Sequence, residues 1–166
     1  MTRPLAKACA ALGAFALPLS LSLIAALPAA AQEPFETLIP ENADARAFQE
    51  AVGYSEAVIV GDMVYLSGII AAPAPGDEGM EPGFTRAFDH IGSILKRAGV
   101  DWGDVVLFDT FHTDIAAQIT PFVTVKNRYI KAPFPAWTAV EVSGLYEPEG
   151  LVEIKVAARR QRGNAE

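Results

Sequence analysis

The residue best placed for chemistry in this chain is an acid inside an apolar, strand-like run. Glu153 interrupts Leu151, Val152, Ile154 and Val156, four residues that favour strands. A carboxylate in such a run either faces water on a half-buried sheet or lies in a pocket, where it is a candidate for proton-transfer chemistry. The pattern alone leaves both interpretations open, so the elements around Glu153 have to decide between them.

A second stretch, residues 133–142, has the sequence Pro-Phe-Pro-Ala-Trp-Thr-Ala-Val-Glu-Val. Its two prolines hold the chain extended, because proline fixes φ and moves the preceding residue out of the α region. The alternation that follows predicts a strand. Two shorter pieces precede it, at 53–57 (Gly-Tyr-Ser-Glu-Ala) and 64–68 (Val-Tyr-Leu-Ser-Gly). In order and spacing, these pieces and Leu-Val-Glu-Ile at 151–154 resemble the RidA/YjgF group of small imine-deaminase-like proteins over residues 52–160.

This resemblance implies an α+β, chorismate-mutase-like fold that assembles as a homotrimer with three ligand clefts between subunits. It also implies a reaction, the hydrolysis of enamines and imines of the 2-iminobutanoate/2-iminopropanoate type with release of ammonia. Glu153 matches the family glutamate that orients the attacking water, so it is the implied catalytic residue. Ser67 could equally bond its own backbone, and Tyr54 could be an interface aromatic. The implied substrate-binding residues are Tyr54, Ser67, Gly68, Trp137 and Thr138.

The chain departs from the family pattern at Trp137, which stands where the Pro-Ala-Arg motif places an arginine that clamps the substrate carboxylate. Tryptophan has one N–H donor and no charge, so it cannot make a bidentate clamp. The departure suggests an arginine-lacking branch with an altered substrate, an uncharged or cationic small molecule, since an indole face attracts cations. Arg86 and Arg128 are candidates for a replacement anchor. In the alternative interpretation, Trp137 is only an interface packing residue.

The two ends of the chain are predicted to lie outside the domain. Residues 1–31 have a basic start, an apolar run and an Ala-Ala-Ala cleavage pattern, which predicts a secretory signal peptide and hence a periplasmic or secreted protein. An uncleaved membrane anchor is the alternative. Residues 32–51 are predicted to form an N-terminal leader, residues 52–160 the domain and residues 161–166 a tail.

Charge and composition exclude several classes of function. The chain has 13 Lys+Arg and 20 Asp+Glu, and without Arg3 and Lys7 of the signal segment the balance is 11 − 20 = −9. An acidic domain with no basic stripe is a poor match for nucleic acid or for anionic membranes. The only cysteine, Cys9, leaves with the signal segment, and the chain has two histidines. We therefore expect no disulfide, no metal site and no organic cofactor.

The expected order of elements is β-β-α-β-α-β-β, with the helices on one face of the sheet. Asn42 is predicted to cap a short helix that ends at Gly53, and Gly61-Asp62 to turn a hairpin. His112 is expected to be a packed or surface residue, and Glu56 and Glu141 to be surface or edge charges. The remaining predictions are a loop over 69–83, a helix over 84–98, a strand over 105–113, a helix over 120–130 with Pro121 in its first turn, and strands around 137 and 153.

Three functions remain open on the sequence. The first is a hydrolase or deaminase that acts on a C=N compound with Glu153 and water. The second is a non-catalytic periplasmic small-molecule-binding protein that uses the same clefts. The third is a protein-interaction trimer in which Trp137 is structural. The reactive enamine 2-aminoacrylate arises from cytoplasmic enzymes, so a periplasmic location points away from that substrate.

Overall fold

One sheet carries all the residues singled out in the sequence. The structure is a computed structural model that describes residues 35–160, so the predicted signal peptide over 1–31 and the predicted tail over 161–166 lie outside the described residues. The strands are β1 Glu36–Leu38, β2 Ala57–Val60, β3 Met63–Leu66, β4 Ile69–Ala71, β5 Val105–His112, β6 Ala136–Glu141 and β7 Val152–Arg159. Their order is β1-β2-β3-β7-β5-β6, and β4 also pairs with β7. Strands β5 and β6 run parallel, whereas the other pairings of the described chain are antiparallel.

Helices cover one face of this sheet. They are α2 Glu81–Arg97 and α3 Ile115–Tyr129. A third helix, α1 Ala43–Val52, precedes β2, and a short 3-10 turn lies at Trp102–Asp104. The core lies between α2, α3 and β5, where Phe122 is fully buried and its ring centroid lies 5.3 Å from Phe84, 5.6 Å from Phe88 and 6.2 Å from Phe108. Aromatic pairs at these separations add to the free energy of burial. Among the described residues, no helix combines the length and apolarity that crossing a membrane requires.

Within residues 35–160, neither α2 nor α3 lies over the opposite face of the sheet. Residues that alternate with core positions on three strands are exposed there: Tyr65 by 47%, Leu107 by 40% and Val140 by 39%. An antiparallel sheet with one solvated face normally carries polar residues on it. The exposed apolar side chains therefore mark this face as a candidate contact surface.

Several local predictions are confirmed. The Asn42 side chain accepts hydrogen bonds from the backbone N–H groups of Asp44 and Ala45 at 2.9 and 3.0 Å, as a helix N-cap does. The helix α1 ends at Gly53, whose φ of 84° is a conformation that glycine adopts without strain. Strands β2 and β3 form the predicted hairpin around Gly61-Asp62.

Two predictions for the N-terminal half are wrong. The leader predicted over 32–51 contains β1, which pairs with β2 in register Thr37↔Val58, in addition to the predicted helix, which is α1. Residues from 36 onward are therefore part of the fold. The loop predicted over 69–83 contains β4 and the first turn of α2, with Pro82 in that turn, where its missing N–H costs no intrahelical bond.

The second long helix begins earlier than predicted. Helix α3 starts at Ile115 rather than near Thr120, and Pro121 lies inside it. The Asp114 side chain caps the helix by accepting from the N–H of Ala117 at 3.1 Å. A proline in a helix interior removes one backbone hydrogen bond, yet the burial of Phe122 and neighbouring side chains on the sheet holds the helix together.

Candidate functional site

Four of the six predicted site residues line one cavity of about 440 Å³, which we call the acid pocket. Glu153 alternates on β7 with the buried Val152 and Ile154, so its side chain points away from the helix-covered core. In the sheet it lies opposite Ile70 of β4 and Phe111 of β5. The pocket is lined by Phe48, Val52, Tyr54, Ser67, Gly68, Ile69, Ile70, His90, Tyr146, Glu147 and Glu153.

Gly68 makes the position of the Glu153 carboxylate possible. A Cβ atom at residue 68 would lie 1.8 Å from Glu153 Oε1 and 2.6 Å from its Cδ, both far inside van der Waals contact. The carboxylate therefore lies directly against the backbone of residue 68, in space that any side chain would fill. This close approach, rather than a special backbone conformation, is the reason for glycine at this position.

Ser67 and Tyr54 complete the wall of the acid pocket in different ways. The Ser67 hydroxyl donates to the backbone carbonyl of Ser55 at 2.6 Å, not to its own local backbone, and its oxygen stays free to accept. Tyr54 is 41% exposed and meets Phe48 edge-to-face at 6.5 Å. Its hydroxyl makes no hydrogen bond within residues 35–160, so it remains available at the rim of the pocket.

Trp137 lies elsewhere in the protomer, in a second cavity of about 250 Å³ that we call the indole pocket. Trp137 packs on the helix side of β6, where its ring centroid is 6.0 Å from Phe108 and 6.4 Å from Phe122. Thr138 follows it on the strand and points to the other face. Neither residue lines the acid pocket. The indole pocket is lined by Phe108, Lys126, Asn127, Ile130, Phe134, Pro135 and Trp137.

A chain of buried hydrogen bonds fixes the indole ring. Trp137 Nε1–H donates to Thr110 Oγ1 at 3.1 Å, and the Thr110 hydroxyl lies 3.1 Å from Nε2 of His112. His112 Nδ1 lies 3.2 Å from Oε1 of Gln118, which can only accept. The network therefore assigns the proton to Nδ1, with Nε2 accepting from the Thr110 hydroxyl. The indole N–H, the only side-chain donor of Trp137, is thus bonded inside the protein and is unavailable to a ligand.

Lys126 was missed by the sequence analysis. It is 8% exposed, and its Nζ lies 5.0 Å from the Trp137 ring centroid and 5.9 Å from that of Phe134. Burial lowers the pKa of the Lys126 ammonium below its usual value. The indole face expected to attract a cationic ligand is therefore covered by the protein's own cation. Its burial could have been predicted from helical spacing, because Lys126 lies four residues after Phe122 and eight after Gln118, on the buried side of α3.

The two arginines considered as replacement anchors are already bound to carboxylates. Arg86 pairs with Asp77 at 2.7 Å, and this guanidinium holds the pKa of Asp77 below its usual range. Arg128 pairs with Glu81 at 2.5 Å. Neither arginine lines the acid pocket or the indole pocket. In the protomer these contacts do not favour the hypothesis that either arginine replaces the missing anchor.

Glu56 is not the surface charge that the sequence suggested. It is only 7% exposed, and its Oε2 lies 2.6 Å from Nη1 of Arg97, so a buried carboxylate is paired with a guanidinium. Glu141 is exposed, as predicted, and accepts from the backbone N–H of Ile115 at 3.0 Å at the start of α3. Within residues 35–160 no group of three or more histidine, cysteine, aspartate or glutamate side chains is placed to hold a metal ion.

Comparison with known proteins decides the family. The family model described as Endoribonuclease L-PSP matches residues 44–160. The chain belongs to the RidA/YjgF family. The match begins inside the predicted leader, in agreement with the place of α1 in the fold.

Relatives of this RidA-family chain include proteins with a named activity. The RutC family protein YjgH of Escherichia coli (strain K12) is 38% identical over 111 residues, covering 64% of this chain and 82% of that protein. The human 2-iminobutanoate/2-iminopropanoate deaminase is 37% identical over 117 residues, covering 65% and 81%. The crystal structure of Rv2704, a YjgF-family member from Mycobacterium tuberculosis, has a TM-score of 0.65 at 27% identity and covers 76% of this chain and 99% of its own. The predicted family and fold are confirmed.

The histidine of the buried network makes the stability of this RidA-family protein depend on pH. Burial lowers the pKa of His112 below 6.5, although its hydrogen bond to Gln118 partly opposes this. Below pH 6.5 the unfolded chain binds a proton that the fold excludes, so the free energy of unfolding falls as the pH drops. Between pH 7.5 and 5.5 we expect a loss of about 1 kcal/mol in chemical denaturation.

The variant His112→Asn should flatten this dependence, even though it lowers stability at pH 7.5. The control variant His90→Gln changes a histidine that is half exposed on α2, and it should keep the fall. A fall of the same size in His112→Asn and in the wild type would show that another group causes it.

Proposed function

We propose that this protein is a RidA-type hydrolase that converts an imine or enamine into the corresponding carbonyl compound and ammonia, with a substrate that differs from the small 2-imino acids. The observation that carries the proposal is the Glu153 carboxylate, held against Gly68 in the acid pocket beside Ser67 and Tyr54. The human relative at 37% identity is named for this reaction. The non-catalytic alternatives become outcomes of the test.

The chemistry assigned to Glu153 is general base catalysis. Its carboxylate accepts a proton from a water molecule as the water oxygen attacks the carbon of the C=N bond. Glu153 passes this proton to the nitrogen, which gives the neutral carbinolamine. Glu153 then takes the proton of the new hydroxyl and passes it to the nitrogen, so that the C–N bond breaks, ammonia leaves and the C=O bond forms. Water and imine thus give carbonyl compound and ammonia, and the carboxylate returns to its starting state. The Tyr54 hydroxyl and the Ser67 oxygen lie in the same cavity, where they can orient the polar end of the substrate.

The indole pocket supports the altered substrate. Its walls are apolar apart from Lys126 and Asn127, and Trp137 offers neither a charge nor a free donor. A bidentate carboxylate clamp is therefore missing at this position. A cavity of about 250 Å³ with aromatic walls suits a substrate whose body is larger and more apolar than the methyl group of 2-iminopropanoate.

We propose further that the acid pocket of one subunit meets the indole pocket of its neighbour in a homotrimer. Two observations support this arrangement. Glu153 and Trp137 line separate cavities in one protomer, so a shared cleft between them needs a second copy. Among residues 35–160, the sheet face opposite α2 and α3 exposes Tyr65, Leu107 and Val140 beside the polar Asp109, Thr138 and Lys155, and a trimer would remove these apolar side chains from water. In this proposal the predicted signal peptide places the trimer in the periplasm or outside the cell.

The test measures ammonia release by the purified protein, after light scattering has determined its mass. The imines of pyruvate and of phenylpyruvate are generated in situ from alanine and phenylalanine by an amino-acid oxidase. For the wild type we expect a trimer mass and a kcat/KM that is about 10-fold or more higher for the aromatic imine. Trp137→Arg should reverse this preference, because it supplies the fork and removes the apolar wall.

A trimer that accelerates neither reaction would contradict the proposed hydrolase and favour a binding protein. A monomer with full activity would contradict the shared cleft while leaving the chemistry of Glu153 in place.

A further inference from the structure

We infer that Lys126 binds an anionic group, such as a carboxylate, of the ligand that enters the indole pocket. Trp137 stands on β6 where the family motif has an arginine. Lys126, on the neighbouring helix α3, would supply the positive charge instead. As a statement about substrate, this inference rests on the proposed function. As a statement about binding, it is independent of turnover and can be tested without it.

The indole pocket contains a single charged side chain. Lys126 is the only ionised side chain among the residues that line it, and within residues 35–160 no carboxylate forms an ion pair with it. Of the six arginines within residues 35–160, five lie within 4.0 Å of a carboxylate, and the sixth, Arg46, donates to the Pro40 carbonyl. The five are Arg86, Arg97, Arg128, Arg159 and Arg160.

The Lys126 ammonium is surrounded mainly by aromatic rings. Two ring faces, those of Trp137 and Phe134, lie 5.0 and 5.9 Å from Nζ and stabilise the charge in part. The rings supply no oxygen acceptors for the three N–H donors, so the ammonium relies on water or a ligand at the mouth of the cavity. Burial accordingly lowers the pKa of Lys126. An anion bound beside Nζ would supply acceptors and raise that pKa again.

The cavity leaves room for a ligand beside Lys126 Nζ. The cavity of about 250 Å³ opens onto Lys126 and continues along Phe108, Ile130 and Phe134. A ligand with an anionic end and an apolar body would place its charge at the lysine and its body on these walls. An ammonium is a point charge and does not require the flat fork geometry that an arginine imposes. The pocket should therefore accept carboxylates and other monoanions with little discrimination between their shapes.

A purely structural role for Lys126 makes a different prediction. Its aliphatic stem could cover the Trp137 ring while the ammonium reaches solvent at the mouth of the cavity. In that case the charge would be irrelevant to ligands. In an acidic chain with 20 Asp+Glu and 13 Lys+Arg, the overall field would then disfavour anions slightly.

The experiment compares a carboxylate with its neutral isostere, 3-phenylpropanoate with 3-phenylpropanamide, by isothermal titration calorimetry on the full protein. Neither compound contains a C=N bond, so neither is a substrate for the proposed hydrolysis. The wild type should bind the carboxylate about 10-fold or more tightly than the amide. Lys126→Met keeps the stem and should abolish this preference. Lys126→Arg, which keeps the charge, should retain most of it.

The matched control is Lys96→Met, which removes the same charge from an exposed position in the last turn of α2 and should retain the preference. Raising the pH through the pKa of Lys126 should weaken carboxylate binding and leave amide binding unchanged. Equal affinity of the wild type for both compounds, no binding of either, or an unchanged preference in Lys126→Met that melts like the wild type would each overturn the inference. If the preference is found in a protein that releases no ammonia, the inference stands and the proposed hydrolase fails.

Discussion

Replacing Glu153 by glutamine is expected to lower the rate of ammonia release by at least about 10²-fold, because a positioned general base contributes about 10² to 10⁴. Glutamine has nearly the same shape as glutamate, so it fits against Gly68, but its amide cannot accept a proton from water at neutral pH. The loss should fall on kcat and kcat/KM together, since the proton transfer belongs to the transition state. Steady-state ammonia release from the phenylpyruvate imine measures it.

The control for this prediction is Glu50→Gln on the exposed side of α1, which removes one carboxylate outside the acid pocket. It should change neither rate nor melting temperature appreciably. Binding of 3-phenylpropanoate should survive in Glu153→Gln, because the indole pocket is untouched. A Glu153→Gln protein that keeps wild-type turnover would remove Glu153 from the mechanism and leave Glu147, the other acid of the pocket, as the remaining carboxylate.

The grouping of Glu153 with Tyr54, Ser67 and Gly68 could be predicted from the sequence, because short pieces in the family order locate positions that the fold brings together. The separation of Trp137 from them could not. It follows from strand pairing, since β6 lies at the far edge of the sheet beside β5, with its indole on the helix side. A motif gives the identity of residues but not the cavity that each of them faces.

Lys126 shows a second limit of the sequence argument. The arginine missing at position 137 suggests another arginine as the anchor, yet Arg86 and Arg128 are both paired with carboxylates. The helical spacing of α3 does put Lys126 in line with the buried Gln118 and Phe122. Because Pro121 is placed in the first turn, the predicted helix begins near Thr120 and leaves Gln118 out of this line. Strand β1 was missed for a simpler reason, because three residues are too few for an alternating pattern to show.

The contact between Gly68 and Glu153 gives the second large prediction. Gly68→Ala should lower kcat/KM by about 10²-fold, the loss that a misplacement of about 1 Å can cause. The backbone at residue 68 does not have a positive φ, so alanine is tolerated by the main chain. Its methyl group would fall 1.8 Å from Glu153 Oε1, and the end of the flexible glutamate side chain would move rather than the strand. The protein should therefore fold normally and hold its base in the wrong place.

Two comparisons separate this displacement from general damage. Gly92→Ala places a methyl group inside α2, where it meets only the Trp102 Nε1 at 3.2 Å, and it should leave activity unchanged. Combining Gly68→Ala with Glu153→Gln should cost no more than Glu153→Gln alone, because residues that act as a unit are not additive. Gly68→Ala with Glu153→Asp should recover part of the activity, since the shorter acid leaves room for the methyl group. Additive losses would mean that Gly68 affects the reaction by a route other than the position of the carboxylate.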